Sequence, residues 1–165
     1  LTNHSAKINA LISYPLADIP VSFIEELICF AKDKGASGIE YTPNFINLSK
    51  GNLETFAAEI EQVNLCGLPV TIIINKSKLE EEILYIAINI IKELGIKSFQ
   101  FGDGFGQPIT LNDVPEIIKI TDRQNQIKIV GGIKKLTHVI DLFDAGINCV
   151  GTSNFCEIFR EVKFI

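Results

Sequence analysis

Residues 127–153, "IKIVGGIKKLTHVIDLFDAGINCVGTS", indicate the class of fold most clearly. A β-rich run that ends in two glycines, "QIKIVGG", is followed by a helical pattern over Lys135–Ala145 and by a second β-rich run, "INCVGTS". A strand, a helix and a strand in this order form a βαβ unit with a right-handed crossover and two parallel strands. The segment therefore predicts an α/β protein built on a parallel sheet.

The same alternation extends along the chain and predicts six βα units in a single domain over residues 1–165. The other predicted strands are Lys7–Tyr14, Gly38–Pro43, Pro69–Asn75 and Ser98–Phe101. The other predicted helices are Val21–Lys34 (with Phe23, Leu27, Phe30 and Ala31 at helical spacing), Leu53–Leu65 behind a capping Asn52, Lys78–Leu94 ended by Gly95, Asn112–Asp122, and a short helix from Asn154. A polar loop is expected from Asn44 to Gly51.

Two architectures fit this pattern. An open doubly wound sheet accommodates six strands directly. A (β/α)₈ barrel has eight strands and typically more than about 200 residues.

Composition excludes several classes of function. The net charge is -5 and no run of five basic residues occurs, so neither nucleic acid nor an anionic membrane surface is a predicted partner. His4 and His138 are isolated, so we expect no metal site and no cofactor. The apolar stretches are shorter than the roughly 18 residues that span a membrane, and no signal peptide is visible, which favours a cytoplasmic location.

The sulfur-containing residues add two expectations. Four cysteines occur in apolar contexts without a CxxC pair, which predicts buried, reduced thiols. The sequence contains no methionine, so we expect that it is trimmed or omits residues.

Glycines end the last two predicted strands and indicate an anion site. The fifth strand ends in Gly131-Gly132 and the sixth in Gly151-Thr152-Ser153-Asn154. Glycine allows backbone N–H groups to approach an anion, and the N-terminus of the following helix adds a favourable dipole. These turns predict a phosphate site at the carboxyl ends of the strands, with plain tight βα turns as the alternative.

Three polar residues lie inside predicted strands, where apolar residues are the rule. They are Glu40, Gln100 and Lys128. A buried lysine is unfavourable unless it is paired, and a carboxylate can serve as its partner or as a general acid–base. Together the three predict a reactive site. The alternatives are a Lys128 that reaches solvent or is paired for structure alone, a Glu40 in a structural ion pair or at an exposed edge, and a Gln100 that is a hydrogen-bonded spacer.

The stretch "GDGFG", residues 102–106, lacks the G-x-G-x-x-G spacing of a dinucleotide site. We expect it to form a flexible loop at the mouth of the site, with Asp103 exposed.

Several segments resemble the deoxyribose-phosphate aldolases. "ISYPLA" resembles that family's G-F-P-L-G after its third strand, and "GASGIEYTPNFINLSKGN" resembles its G-A-D-E-I-D-M-V-x-N segment. "LGIKSFQFGDGFG" resembles G-A-D-F-I-K-T-S-T-G-F. The opening segment, residues 127–153, resembles V-K-A-S-G-G-I-R-T…A-G-A-x-R-I-G-T-S and is the most specific.

The resemblance implies an aldolase-type TIM (β/α)₈ barrel, here lacking the first two βα units, that forms a Schiff base with an aldehyde. By position, Lys128 matches the family's second lysine and Glu40 its proton-relay aspartate. The Schiff-base lysine falls on Gln100, which has no nucleophilic amine. The phosphate-binding positions fall on Gly104, Gly131, Gly132, Gly151, Ser153 and Asn154.

The resulting hypothesis is a deoxyribose-phosphate aldolase-like protein that binds a small phosphorylated sugar or aldehyde at the strand carboxyl ends. Aldol-lyase chemistry is in question because of Gln100, although Lys128 offers a second amine. The alternative is a non-catalytic phosphometabolite-binding or subunit-interaction homologue. A barrel short of two units leaves strand edges exposed, which predicts a homo-oligomer. Some family members end in a site-reaching tyrosine, whereas this chain ends in Phe164-Ile165.

Overall fold

The computed structural model describes residues 6–162, which form two compact units. Unit 1 extends to Ile72 and also includes Asn89–Ile96. Unit 2 comprises Ile73–Ile88 and the described residues from Lys97 onward. His4 and the Phe164-Ile165 end lie outside the described residues.

Six parallel strands follow one another in chain order. They are β1 (Asn9–Ile12), β2 (Gly38–Tyr41), β3 (Val70–Ile74), β4 (Ser98–Phe101), β5 (Gln126–Val130) and β6 (Cys149–Gly151). The order in the sheet is β1-β2-β3-β4-β5-β6. All six predicted strands are confirmed, β4 with the predicted bounds and the other five with shorter ones. A doubly wound sheet reverses its strand order at a switch point, and this sheet does not. Consecutive parallel winding is that of a β/α barrel, of which six βα units are present.

Helices connect the strands. They are α1 (Val21–Asp33), α2 (Phe45–Ser49), α3 (Leu53–Leu65), α4 (Glu81–Glu93), α5 (Val114–Thr121), α6 (Leu136–Asp144) and α7 (Phe155–Val162), with 3₁₀ turns at Lys76–Lys78 and Leu111–Asp113. The expected loop after β2 therefore contains the short helix α2, whose first turn is capped by Asn44 accepting from Ile46 N–H at 3.1 Å. The side chain of Asn52 makes no capping bond to α3. Within residues 6–162 no helix is long and apolar enough to cross a membrane.

In unit 1, α1 buries a different face from the one that its aromatic residues mark. Ile24 and Ile28 are fully enclosed, whereas Phe23 is 56% exposed and Phe30 is 62% exposed. The two isoleucines are four residues apart and point to one side, and the phenylalanines lie on the adjacent side. Helical spacing thus predicted the helix correctly but does not identify its buried face.

In unit 2, β4 and β5 direct one set of side chains into the core. Phe99, Phe101, Ile127 and Ile129 are buried at 2% exposure or less. Because side chains alternate along a strand, Gln100 and Lys128 lie together on the opposite face, where they are register partners. This opposite face carries the candidate site.

The expectation of buried thiols is wrong. Cys29, Cys149 and Cys156 are exposed and Cys66 is half-buried, and all four are free thiols. Cys29 follows the buried Ile28 on α1 and therefore points away from the core. Apolar neighbours in sequence do not bury a residue whose position on the helix or strand faces outward.

Candidate functional site

Two glycine-rich loops of unit 2 enclose a small cavity of about 110 Å³. Residues 102–108, after β4, form one wall, and residues 130–132, at the end of β5, form the other. A methyl group built on Gly131 would lie 3.5 Å from the Cα of Gly104, so the two loops are close to van der Waals contact. A water molecule needs about 10–15 Å³ by the same measure, so the cavity admits a group of several heavy atoms.

Three of the six predicted phosphate-binding residues line this cavity, namely Gly104, Gly131 and Gly132. Gly151 lines a separate groove instead. Ser153 is exposed and Asn154 is half-buried. The structure thus brings half of the predicted set together.

Asn154 joins the turn after β6 to the turn after β5. Its backbone N–H donates to Thr152 Oγ1 at 2.9 Å, and its Nδ2 donates to the carbonyl oxygen of Lys134 at 3.0 Å. The hydroxyl of Thr152 donates in turn to the carbonyl oxygen of Ile133 at 2.6 Å. The two glycine-rich turns are therefore neighbours, as the sequence predicted, but these donors of Asn154 are already engaged within the protein.

Asp103 is buried, which contradicts the expectation of an exposed residue in a flexible loop. It is 4% exposed. Its Oδ1 accepts from Asn75 Nδ2 at 2.7 Å and from the backbone N–H of Phe105 at 2.9 Å, and its Oδ2 accepts from Lys78 Nζ at 3.2 Å. These contacts pin the loop after β4 to the turn after β3.

The ionisation of Asp103 follows from the same contacts. Burial by itself raises the pKa of a carboxyl group, because it disfavours the charged form. Hydrogen bonds from Asn75, Phe105 N–H and Lys78 outweigh burial here, so the pKa of Asp103 lies below its usual value. The cavity wall therefore carries a carboxylate, partly compensated by the ammonium group of Lys78.

Sequence reasoning missed Asn75, the residue that joins these loops. Asn75 also donates to the carbonyl oxygen of Phe105 at 3.0 Å and accepts from the hydroxyl of Ser77 at 2.6 Å. A signal was present, since a polar amide comes directly after the apolar strand β3, where site residues of parallel sheets gather.

A second polar cluster holds the turn after β3 to the start of α5. Lys76 Nζ lies 2.9 Å from Asp113 Oδ1 and 2.6 Å from Glu116 Oε2. Burial raises the pKa of Asp113, but bonds from Lys76 and Thr110 outweigh it and lower that pKa to about 2. The cluster fixes the short turn that carries Lys78, and through it the position of Asp103.

Gln100 and Lys128 lie side by side on β4 and β5. Gln100 is 3% exposed, and its Nε2 donates to the carbonyl oxygen of Gly102 at 3.0 Å. Its Oε1 is buried and has no hydrogen-bond partner among residues 6–162. Lys128 is half-buried.

Gly151 makes room for the polar face of the sheet. A Cβ at this position would lie 2.6 Å from Val130 Cγ2 and 3.2 Å from Lys128 Cε. The glycine is therefore required sterically beside Lys128, whatever its role toward an anion.

Lys128 and Gly151 also line a larger groove of about 640 Å³. Its other walls are mainly apolar side chains of α6 and α7, including the exposed Phe143 and Phe159. The ammonium-bearing face of the sheet is thus open to a broad apolar surface within unit 2.

Glu40 lies on β2 in unit 1. Its Oε1 accepts from Asn9 Nδ2 at 3.2 Å, and the flanking Ile39 and Tyr41 are buried on the opposite face. Its pairing with Lys128, which belongs to unit 2, stays a prediction. Within the described residues no group of three or more His, Cys, Asp or Glu side chains is placed to hold a metal ion.

The winding of the sheet and the glycine-rich ends of its last strands define an aldolase-type β/α barrel fold, and solved structures agree. The aldolase "QR15" superimposes with a TM-score of 0.89 at 22% identity, covering 99% of this chain and 75% of that one. The tetrameric deoxyribose phosphate aldolase of Aeropyrum pernix superimposes with a TM-score of 0.82 at 18% identity, covering 96% and 68%. At these identities the matches establish the fold alone.

The sequence relatives are deoxyribose-phosphate aldolases. That of Desulfitobacterium hafniense (strain DSM 10664 / DCB-2) is 28% identical over 153 residues, which cover 90% of this chain and 70% of the relative. That of Gloeobacter violaceus is 25% identical over 164 residues, covering 98% and 72%. No protein-family model matches the chain. The chain thus spans about 70% of the length of these relatives and is aldolase-like in sequence and fold.

Proposed function

We propose that this chain is an aldolase-like protein that binds a small sugar phosphate, of the deoxyribose 5-phosphate class, at the carboxyl ends of β4 to β6. The relatives' substrate class and the barrel fold support the choice of ligand. The observation that carries the proposal is the cavity between the two glycine-rich loops, because glycines leave backbone N–H groups accessible to an anion.

Charge in the cavity sets a condition on phosphate binding. The carboxylate of Asp103 lines the wall and repels an anion, whereas its three donors hold its oxygens turned toward the protein. Lys78 stands beside it and offsets the charge. The phosphate group is therefore expected to bind toward Gly104, Gly131 and Gly132, on backbone donors.

We further propose that imine chemistry at position 100 is absent. The resemblance places Gln100 where the aldolases carry their Schiff-base lysine, and an amide cannot form a carbinolamine or an imine. The neighbouring ammonium group of Lys128 contributes positive charge on the same face of the sheet. A cytoplasmic location and a homo-oligomeric state stay predictions of the same hypothesis.

Binding at the glycine loops is tested by a substitution that fills the cavity, with a control that carries the same backbone cost. Gly104→Asn places a side chain at the cavity wall, and Asn tolerates the left-handed conformation better than most residues. Gly51→Asn is the matched control, since its φ is 79° against 80° for Gly104 and no atom lies within 4 Å of its added Cβ. Isothermal titration calorimetry measures the affinity for deoxyribose 5-phosphate, deoxyribose and inorganic phosphate.

We expect the natural chain and Gly51→Asn to bind deoxyribose 5-phosphate, and Gly104→Asn to lose at least about tenfold in affinity, the equivalent of about 1.4 kcal/mol. Deoxyribose without phosphate should bind much more weakly. Equal affinity of Gly104→Asn and Gly51→Asn for the sugar phosphate, or no binding by the natural chain, would refute the proposal.

A further inference from the structure

We propose that the Oε1 atom of Gln100 accepts a hydrogen bond from a hydroxyl group of the bound ligand, so that the site selects hydroxyl-bearing sugar phosphates over analogues without hydroxyls. The inference rests on the proposed function, since it concerns the same ligand. It concerns a single atom that the fold leaves unpaired.

The orientation of the Gln100 amide is fixed by its neighbour. Nε2 donates to the carbonyl oxygen of Gly102 at 3.0 Å. Rotating the amide by half a turn would place two oxygens against each other, so the NH₂ group must face Gly102. The atom left for a ligand is therefore the oxygen, an acceptor.

The oxygen is unpaired although it is buried. Gln100 is 3% exposed and its Oε1 has no partner within residues 6–162. Most buried side-chain oxygens in folded proteins have a partner, and each exception calls for an explanation. A donor that reaches this oxygen restores the missing bond, and the gain is largest where water does not compete.

The approach to Gln100 is along the polar face of the sheet. Its register partner Lys128 lines the groove bounded by α6 and α7, together with Gly151. An added Cβ at Gly151 would crowd Val130 and Lys128, so the glycine allows the Lys128 side chain to lie there. A ligand that enters on the Lys128 side reaches Oε1 by displacing this side chain. The buried Phe99 and Phe101 close the other face.

The chemistry of an acceptor-only atom defines the ligand. A hydroxyl donates to it, whereas a carbonyl or phosphate oxygen is repelled. Gln100 therefore favours a sugar phosphate that presents a hydroxyl at this position, such as a cyclic hemiacetal or an alditol, over one that presents an aldehyde oxygen there. This preference fits a binding site better than an imine-forming one.

The test compares two probes that share a five-carbon chain and a phosphate group. One is 2-deoxyribitol 5-phosphate, which carries hydroxyls and no carbonyl, and the other is n-pentyl phosphate, which carries neither. Their affinities are measured for the natural chain and for Gln100→Met, which keeps a side chain of similar length without a strong acceptor. We expect the natural chain to prefer the alditol phosphate by about tenfold and Gln100→Met to lose most of that preference.

Outcomes separate this inference from the function that it rests on. If neither probe nor deoxyribose 5-phosphate binds the natural chain, the proposed function fails. If the probes bind but their affinity ratio is the same in the natural chain and in Gln100→Met, the role of Gln100 is overturned while the proposed function stands. This includes the case in which the variant loses affinity for both probes equally. If Gln100→Met does not fold, the ¹³Cδ chemical shift of the Gln100 side chain is followed by NMR in the natural chain instead. The inference predicts that this shift changes on addition of the alditol phosphate and not on addition of pentyl phosphate, and equal changes with the two probes would overturn it.

Discussion

Replacement of Asp103 by alanine is expected to destabilise the loop after β4. The carboxylate of Asp103 is 4% exposed and accepts from Asn75, from the N–H of Phe105 and from Lys78. A hydrogen bond to a charged group contributes about 1.5–3 kcal/mol, which applies to the first two donors. The side chain of Lys78 is 54% exposed, so its ion pair adds at most about 1 kcal/mol.

The net loss is smaller than the sum of these bonds. Asn75 Nδ2 keeps its second acceptor, the carbonyl oxygen of Phe105, and the desolvation cost of the Asp103 carboxylate disappears with it. We therefore expect Asp103→Ala to lower the free energy of unfolding by about 3 kcal/mol. For a chain of this size that corresponds to a fall in melting temperature of about 6–12 °C.

Urea unfolding followed by circular dichroism, together with calorimetry, measures this loss. The matched control is Asp141→Ala, which removes an exposed aspartate from α6 and should change stability by less than about 0.5 kcal/mol. A cycle with Asn75→Ala should give a coupling of at least about 1 kcal/mol between Asn75 and Asp103. A loss below about 1 kcal/mol for Asp103→Ala, or no coupling, would refute the assignment of Asp103 as the anchor of this loop.

Two further predictions concern stability. At Gly102 φ is 87°, and an added Cβ would collide with the carbonyl oxygen of Val130. We therefore expect Gly102→Ala to lower the free energy of unfolding in urea by about 3 kcal/mol or more. Gly95 has a similar φ of 82° but open space around an added Cβ, so Gly95→Ala should lower it by only about 1–2 kcal/mol. Similar losses of stability in the two variants would contradict the predicted collision at Gly102. Because the pKa of Asp113 is lowered from 3.8 to about 2, its stabilising contribution is present above pH 3.8 and is lost as the pH falls toward 2. The shift corresponds to at most about 2.5 kcal/mol, which solvent screening reduces to about 1 kcal/mol. The free energy of unfolding of Asp113→Asn should therefore fall less over this pH window than that of the natural chain. Parallel pH profiles of the two proteins would count against the ion pair of Asp113 with Lys76.

The sequence was sufficient for the order of strands and helices. β-branched runs such as Val70–Ile74 are buried on both faces and stand out without tertiary information. The sequence also placed Gln100 and Lys128 inside strands, whereas their position side by side comes from the pairing of β4 with β5.

Other features depend on contacts between segments that are distant in sequence. Asp103 is buried because Asn75 and Lys78, 28 and 25 residues earlier, supply its donors. The aromatic stripe of α1 is exposed because packing selected Ile24 and Ile28 instead. The thiols of Cys149 and Cys156 are exposed for the same kind of reason, since neighbouring apolar letters do not reveal which side of β6 or α7 is covered.

Under the proposed function, an aldolase-like sugar-phosphate site carries an amide at position 100 and forms no imine there. Incubation with deoxyribose 5-phosphate and borohydride, followed by peptide mass spectrometry, tests it most directly in the natural chain and in Gln100→Lys. We predict a reduced adduct on residue 100 of Gln100→Lys and none on the natural chain, although both bind the sugar phosphate. An adduct on Lys128 of the natural chain, or a folded Gln100→Lys variant that binds the sugar phosphate without forming an adduct, would contradict the claim.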